Sequence, residues 1–190
     1  LQHLVTTQAH YYHYGIMITA SHNEASDNGI KIITPQGKLL TSDQEVIAEY
    51  IMHTPPFSQC PATLTVPPIQ TYHANSYLMH FSTIFPAHIL QGLHVVLDCG
   101  QGATYRVAPM VFQGCGATTT VIGNEPDGDN INNGYGSTAP QRLQKKVLES
   151  GADMGFAFDG DGDRVIAVNA EGTLFDGDDI LALLSTHPRF

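Results

Sequence analysis

Three carboxylates separated by single glycines, Asp159, Asp161 and Asp163, follow an apolar run over residues 154–158 and precede Arg164. This heptapeptide, Phe158-Asp-Gly-Asp-Gly-Asp-Arg164, constrains the fold more than any other segment. It asks for a strand that ends at Phe158. Its glycines allow positive φ, so the loop can fold back and aim three side chains at one point. So many carboxylates on one tight loop repel one another unless they are solvated or hold a cation. Hard oxygen donors select Mg²⁺ or Ca²⁺ over zinc, and open α/β sheets take ligands at the carboxyl ends of their strands. An EF-hand loop needs Gly at its sixth position and Glu at its twelfth. Counted from Asp159, those positions are Arg164 and Ala170, with strands where helices should flank. Taken alone, the loop also admits a phosphatase whose first Asp is the nucleophile.

The rest of the chain reads as alternating strands and helices. Strands are expected at residues 15–20, 30–34, 94–98, 117–122, 154–158 and 164–168. Ser42-x-x-Glu45 has the form of a capping box, opening a helix with Val46, Ile47, Tyr50 and Ile51 on one face. Five prolines between Thr54 and Pro68 argue against regular structure there. A second helix is expected from about Gln70 to Ile84, with a domain boundary at Pro86. Gly100 and Gly102 open a third helix reaching about Phe112. Thr138-x-x-Gln141 caps a fourth that ends near Ser150. Asp176 begins a last one. Such alternation implies an α/β fold with a mostly parallel sheet. Gly100-x-Gly102 is half of a dinucleotide fingerprint, but Tyr105 stands where the third glycine belongs, so a tight strand-to-helix turn is expected.

The formal net charge of −10 over 190 residues argues against nucleic acid as a partner. Seven carboxylates against one arginine lie between Phe156 and Asp179. No apolar run reaches the length of a membrane span. Three scattered cysteines, Cys60, Cys99 and Cys115, suit neither a disulfide framework nor a zinc knuckle, and the expectation is a reducing cytoplasm. Cys99 and Cys115 read as core thiols. His10-Tyr-Tyr-His13 has ligand-like spacing and reads as an aromatic patch.

A second loop, Thr19-Ala-Ser21-His22-Asn23, follows the first apolar strand, and Asp27-Asn-Gly29 turns the chain into Ile30-Lys31. Ser21 has no obvious activator. His22 is adjacent in sequence, which is poor geometry for a relay, and no G-x-S-x-G elbow is present. A capping serine is an equal reading of this stretch alone.

Together, T-A-S-H-N…D-N-G-I-K and F-D-G-D-G-D-R resemble the paired signatures of the α-D-phosphohexomutases. The resemblance spans essentially the whole chain. Segments outside these loops, Asp98-Cys-Gly-Gln-Gly-Ala-Thr-Tyr-Arg and Glu125-Pro-Asp-Gly-Asp-Asn-Ile-Asn132…Gly136-Ser-Thr138, resemble the bacterial branch that acts on glucosamine phosphates. Glu24 departs from the proline common in the family, and Tyr135 from a frequent cysteine.

The resemblance implies tandem three-layer α/β/α domains with mixed, mostly parallel sheets, truncated here. Residues 1–86 would be the rear of a first domain with the phosphoserine loop, 87–172 a second with the metal loop, and 173–190 the start of a third. It implies that Ser21 carries the phosphoryl group. Mg²⁺ would be held by Asp159, Asp161, Asp163 and the Ser21 phosphate. Arg164 would contact phosphate, Lys31 would serve acid/base or charge-stabilising work, and His22 would shape the loop. The implied reaction interconverts glucosamine 6-phosphate and glucosamine 1-phosphate through a sugar bisphosphate, for cell-wall precursor synthesis. The alternatives are glucose or mannose phosphates, or a catalytically incompetent metal-binding fragment. The chain starts at Leu1 without Met, so it is expected to be cut from a longer one that also carries sugar- and phosphate-gripping third and fourth domains.

Overall fold

The computed structural model describes residues 1–54 and 72–187. The elements in chain order are α1 (Gln2–Thr7), β1 (Gly15–Ile18), β2 (Ile30–Thr34), β3 (Gly37–Lys38), α2 (Thr41–His53), α3 (Tyr72–Ile84), β4 (His94–Asp98), a 3₁₀ turn (Ala103–Tyr105), α4 (Val107–Gly114), β5 (Thr118–Ile122), α5 (Gln141–Ser150), β6 (Met154–Phe158), β7 (Val165–Asn169), β8 (Leu174–Phe175) and α6 (Gly177–Ser185). Residues 55–71, with Cys60 and most of the proline-rich segment, lie outside the described residues, as does Gln70. The chain forms two compact units, one of Leu1–Ile18 with Ile30–Tyr77, the other of Thr19–Gly29 with Leu78–Phe190. The serine loop therefore belongs to the second unit, although its flanking strands belong to the first.

In the first unit β1, β2 and β3 form an antiparallel meander, with Ile18 opposite Ile30 and Thr34 opposite Gly37. Val5 of α1 and Ile33 of β2 are buried. α2 starts where expected, but not through the expected cap. Leu40 is its N-cap without a side-chain hydrogen bond, and Ser42 already lies inside the helix. Its apolar residues Val46, Tyr50 and Ile51 are exposed. In the aromatic patch His10 lies against Tyr11, and the Tyr12 hydroxyl meets His73 Nε2 at 3.2 Å.

In the second unit a five-stranded sheet has the order β5-β4-β6-β7-β8. β4 is parallel to both β5 and β6, while β7 and β8 add antiparallel strands at one edge. Alternation along β4 splits the core. Val96 packs with Leu143 and Val147 of α5, plus Ala157 and Val168. Val95 and Leu97 face Ala108 and Phe112 of α4 on the other side. Right-handed crossovers to opposite sides of β4 place α4 and α5 on opposite faces, giving three layers. Each fully buried Val or Leu contributes about 1.5–3 kcal/mol of burial. Cys99 and Cys115 are buried free thiols. Burial, aided by the Asp98 charge and opposed by a Thr104 hydrogen bond, raises the Cys99 thiol to about 11, so it stays unreactive.

Two helix expectations are corrected. The helix over residues 100–112 is broken into a 3₁₀ turn and α4. Pro109 is the cause: it cannot donate to the Tyr105 carbonyl and would clash with it, so α4 begins with proline in its first turn. α5 has Pro140 as N-cap with no side-chain hydrogen bond, so Thr138 does not cap it. α5 ends where expected, on Gly151 with φ 61°.

Candidate active site

Parallel strands that leave a central strand to both sides open a crevice at their carboxyl ends. In the second unit that place lies above β4 and β6, and both motif loops meet there. Asp159 leaves the end of β6 fully buried. Its Oδ1 accepts the amides of Asp163 and Arg164, both at 3.1 Å. These bonds curl the acidic loop back on its own first residue. One oxygen from each of Asp159, Asp161 and Asp163 can lie within 4.8 Å of the others. Three carboxylate oxygens without sulfur or nitrogen donors suit a hard divalent cation. Among the described residues no other His, Cys, Asp or Glu group has this form.

Two glycines are needed here by close approach. A Cβ on Gly102 would run into the carbonyl of Gly160, and the Ala103 amide donates to that same carbonyl at 2.8 Å. A Cβ on Gly160 would lie 2.6 Å from the Ser21 carbonyl. The Gly100-x-Gly102 turn thus works as a seat for the acidic loop.

The serine loop closes through the Thr19 amide and the Gly29 carbonyl at 2.9 Å. Ser21 adopts φ 59°, which turns the chain over. The Thr19 hydroxyl accepts the Ser21 amide at 2.9 Å and donates to Asp161 Oδ2 at 3.4 Å. Ser21 Oγ lies 3.0 Å from Asp159 Oδ2 and 3.3 Å from Asp161 Oδ1. The serine hydroxyl therefore points into the carboxylate cluster, its proton shared between two acceptors. The partners of the Ser21 hydroxyl are thus two carboxylates of the acidic loop and not a helix end.

The remaining expected residues are placed as follows. Arg164 is half-exposed, with Nε 4.0 Å from both Asp159 Oδ2 and Asp163 Oδ1, at the limit of an ion pair. His22 lines a depression of about 350 Å³ with Asn23, Glu24, Asp27 and Thr138. Its Nδ1 is enclosed without a hydrogen-bond partner among the described residues. Lys31 is half-buried on β2, opposite Met17, in the first unit.

Asn132 has no expected role from the sequence. It is 8% exposed and holds φ 58°. Its backbone amide donates to the Gly100 carbonyl at 2.8 Å. Its side-chain Nδ2 donates to the carbonyls of Ser21 at 3.0 Å and Asn23 at 2.9 Å. The available signal was an Asn able to take positive φ inside a Gly/Asn-rich loop. Below the site, Asp98 is fully buried at the end of β4. Burial pushes its carboxyl above the usual value, against the Gly100 and Gly136 amides and the Arg142 charge.

The sequence matches the family profile described as phosphoglucomutase/phosphomannomutase, alpha/beta/alpha domain I, over residues 2–57. It matches domain II of the same family over residues 75–172. Phosphoglucosamine mutase from Renibacterium salmoninarum is 46% identical over 174 residues, covering 90% of this chain and 38% of that protein. Its counterpart from Acinetobacter baumannii is 43% identical over 184 residues, covering 96% of this chain and 41% of that protein. The chain thus spans about two fifths of the length of these curated relatives. A crystal structure of a phosphoglucomutase/phosphomannomutase family protein from Burkholderia thailandensis superposes with a TM-score of 0.72 at 25% identity, over 92% of this chain and 37% of that one.

Proposed function

The chain belongs to the phosphoglucomutase/phosphomannomutase family, and on that premise we propose that it carries the phosphoryl-transfer centre of a phosphohexomutase. One observation carries the reading: Ser21 Oγ sits 3.0 Å from a carboxylate of the only metal-capable cluster among the described residues. Ser21 carries the phosphoryl group, and Asp159, Asp161 and Asp163 hold Mg²⁺. When bound, the cation neutralises charge on the transferring group. Everything else is positioning. A phosphate on Ser21 carries roughly −1.5 to −2 charges, so beside three carboxylates it is tolerated only with the cation present. Asp159, fixed by two loop amides, holds the serine side chain in place, and the positive φ at Ser21 keeps Oγ facing the cluster. Transfer forms a bond between phosphorus and a sugar oxygen and breaks the one to Oγ. Lys31 and Arg164 are the cations we assign to acid/base work and phosphate contact.

The relatives named phosphoglucosamine mutase favour glucosamine 6-phosphate and glucosamine 1-phosphate as the substrate pair, with a sugar bisphosphate as intermediate, in a cytoplasmic route to cell-wall precursors. The family description favours a second reading, glucose or mannose phosphates. The domain assignment follows the same reading, with the serine loop in domain I and the acidic loop in domain II. The test uses the intact protein. Incubation with a sugar bisphosphate is expected to leave phosphate on the Ser21 peptide by mass spectrometry, and Ser21→Ala to leave none. Phosphate elsewhere, or nowhere, sinks the reading. Turnover on the three sugar monophosphates then decides the substrate.

A further inference from the structure

The geometry points to Asn132 as a positioning residue that holds the phosphoryl-carrying serine in its strained backbone conformation; this rests on the function proposed above. A serine at φ 59° sits in a region unfavourable to residues with a side chain. Nothing regular holds it there, because Thr19–Gly29 is a loop. Within the loop the Thr19 hydroxyl takes its amide; its carbonyl is gripped by a side chain from 111 residues away, where Asn132 Nδ2 bridges the carbonyls of Ser21 and Asn23, at 3.0 and 2.9 Å. Asn132 is itself fixed. It is nine-tenths buried, and its own amide is tied to the Gly100 carbonyl. The Ser21 carbonyl and the Asn132 amide also crowd the Cα of Gly160, where a Cβ would stand 2.6 and 2.7 Å from them. Three loops therefore meet at one amide group: the serine loop, the acidic loop and the loop over residues 123–137. The bridge needs an amide of this length. A carboxylate of the same shape would present two acceptors to two carbonyls. The bridge contacts the serine's carbonyl and not its hydroxyl, so it sets where Oγ stands without touching the transferred group.

Two variants of the intact protein test this. Asn132→Gly keeps the backbone freedom for positive φ and deletes the amide. Asn132→Asp keeps the shape and deletes the donor. In both, hydrogen exchange of the amides in residues 19–29 should quicken by about tenfold or more, with those of β4 and β6 unchanged within about twofold. The kcat for sugar phosphate turnover should fall about tenfold or more with KM within about threefold, the signature of a lost orientation rather than lost binding. Unchanged exchange in residues 19–29 overturns the proposal, whatever the activity. So does quickened exchange with unchanged kcat. A uniform rise in exchange that includes β4 and β6 in both variants also overturns it, because Asn132 would then be a general fold residue. If the parent protein turns over no sugar phosphate, the proposed reaction fails, and the exchange measurement still decides whether the bridge holds the loop.

Discussion

Ser21 holds φ 59°, where a residue with a Cβ is strained by about 1–2 kcal/mol and glycine is not. Removing its hydroxyl in two ways separates chemistry from strain. Ser21→Gly and Ser21→Ala should both abolish phosphoryl transfer. The glycine variant should be more stable than the alanine variant by about 1 kcal/mol in urea unfolding. Equal stabilities would mean the positive φ costs nothing. Asp98 supplies a prediction with a sign. Its folded carboxyl is raised above 3.8 by burial. The folded state therefore favours the protonated form. Its contribution to stability is complete below the unfolded value and is lost as pH rises through the folded one. Asp98→Asn removes that loss, and its Oδ1 can still accept the Gly100 amide. The stability of this variant relative to the parent should therefore climb from acid towards neutral pH, as followed by urea unfolding across that range. A flat difference would show that Asp98 ionises without cost. Asp159→Asn should remove calorimetrically detectable Mg²⁺ binding and lower turnover by about 10²-fold or more, because it weakens the most buried carboxylate of the cluster.

At the scale of elements, the side-chain cap found among the described residues opens α6. Asp176 accepts the amides of Asp178 and Asp179, and the Asp179 carboxylate in turn accepts the Asp176 amide at 3.0 Å. Asp176→Ala should cost about 1 kcal/mol and quicken exchange of the α6 amides, while Ser42→Ala and Thr138→Ala should change little. This contrast explains what the sequence could tell. Both α2 and α5 formed near their expected positions; α5 buries Leu143 and Val147, whereas the periodic apolar residues of α2 stay exposed. Caps depend on the φ and ψ of one residue, which Leu40 and Pro140 took in place of Ser42 and Thr138. The acidic loop and Ser21 were legible because rare residues at regular spacing carry their chemistry in local sequence. Asn132 was not, since its function consists of two bonds to a loop more than a hundred residues away. The break before α4 is legible in Pro109, whose missing amide outweighs the helix-opening glycines before it. Part of the acidity between Phe156 and Asp179 also belongs to the α6 cap rather than to a cation.

Across the whole molecule, the family's serine and acidic loops are present in a chain about two fifths as long as its curated relatives. We expect the 190-residue chain to bind Mg²⁺ at the acidic loop and to turn over sugar phosphates weakly or not at all; calorimetry beside a coupled mutase assay checks both. Robust turnover would place the sugar-gripping groups within these residues. The division of the chain has a further consequence. The serine loop is an excursion from the first unit whose carboxylate neighbours lie 138 and 140 residues later. A ribosome adds about 5–20 residues per second, so roughly 7–28 s separate the synthesis of Ser21 from that of the loop that receives it. During that interval β1 and β2 can pair while the segment between them has nowhere to dock. One half of the site is thus made well before the other, and its closure waits on the loop that follows β6.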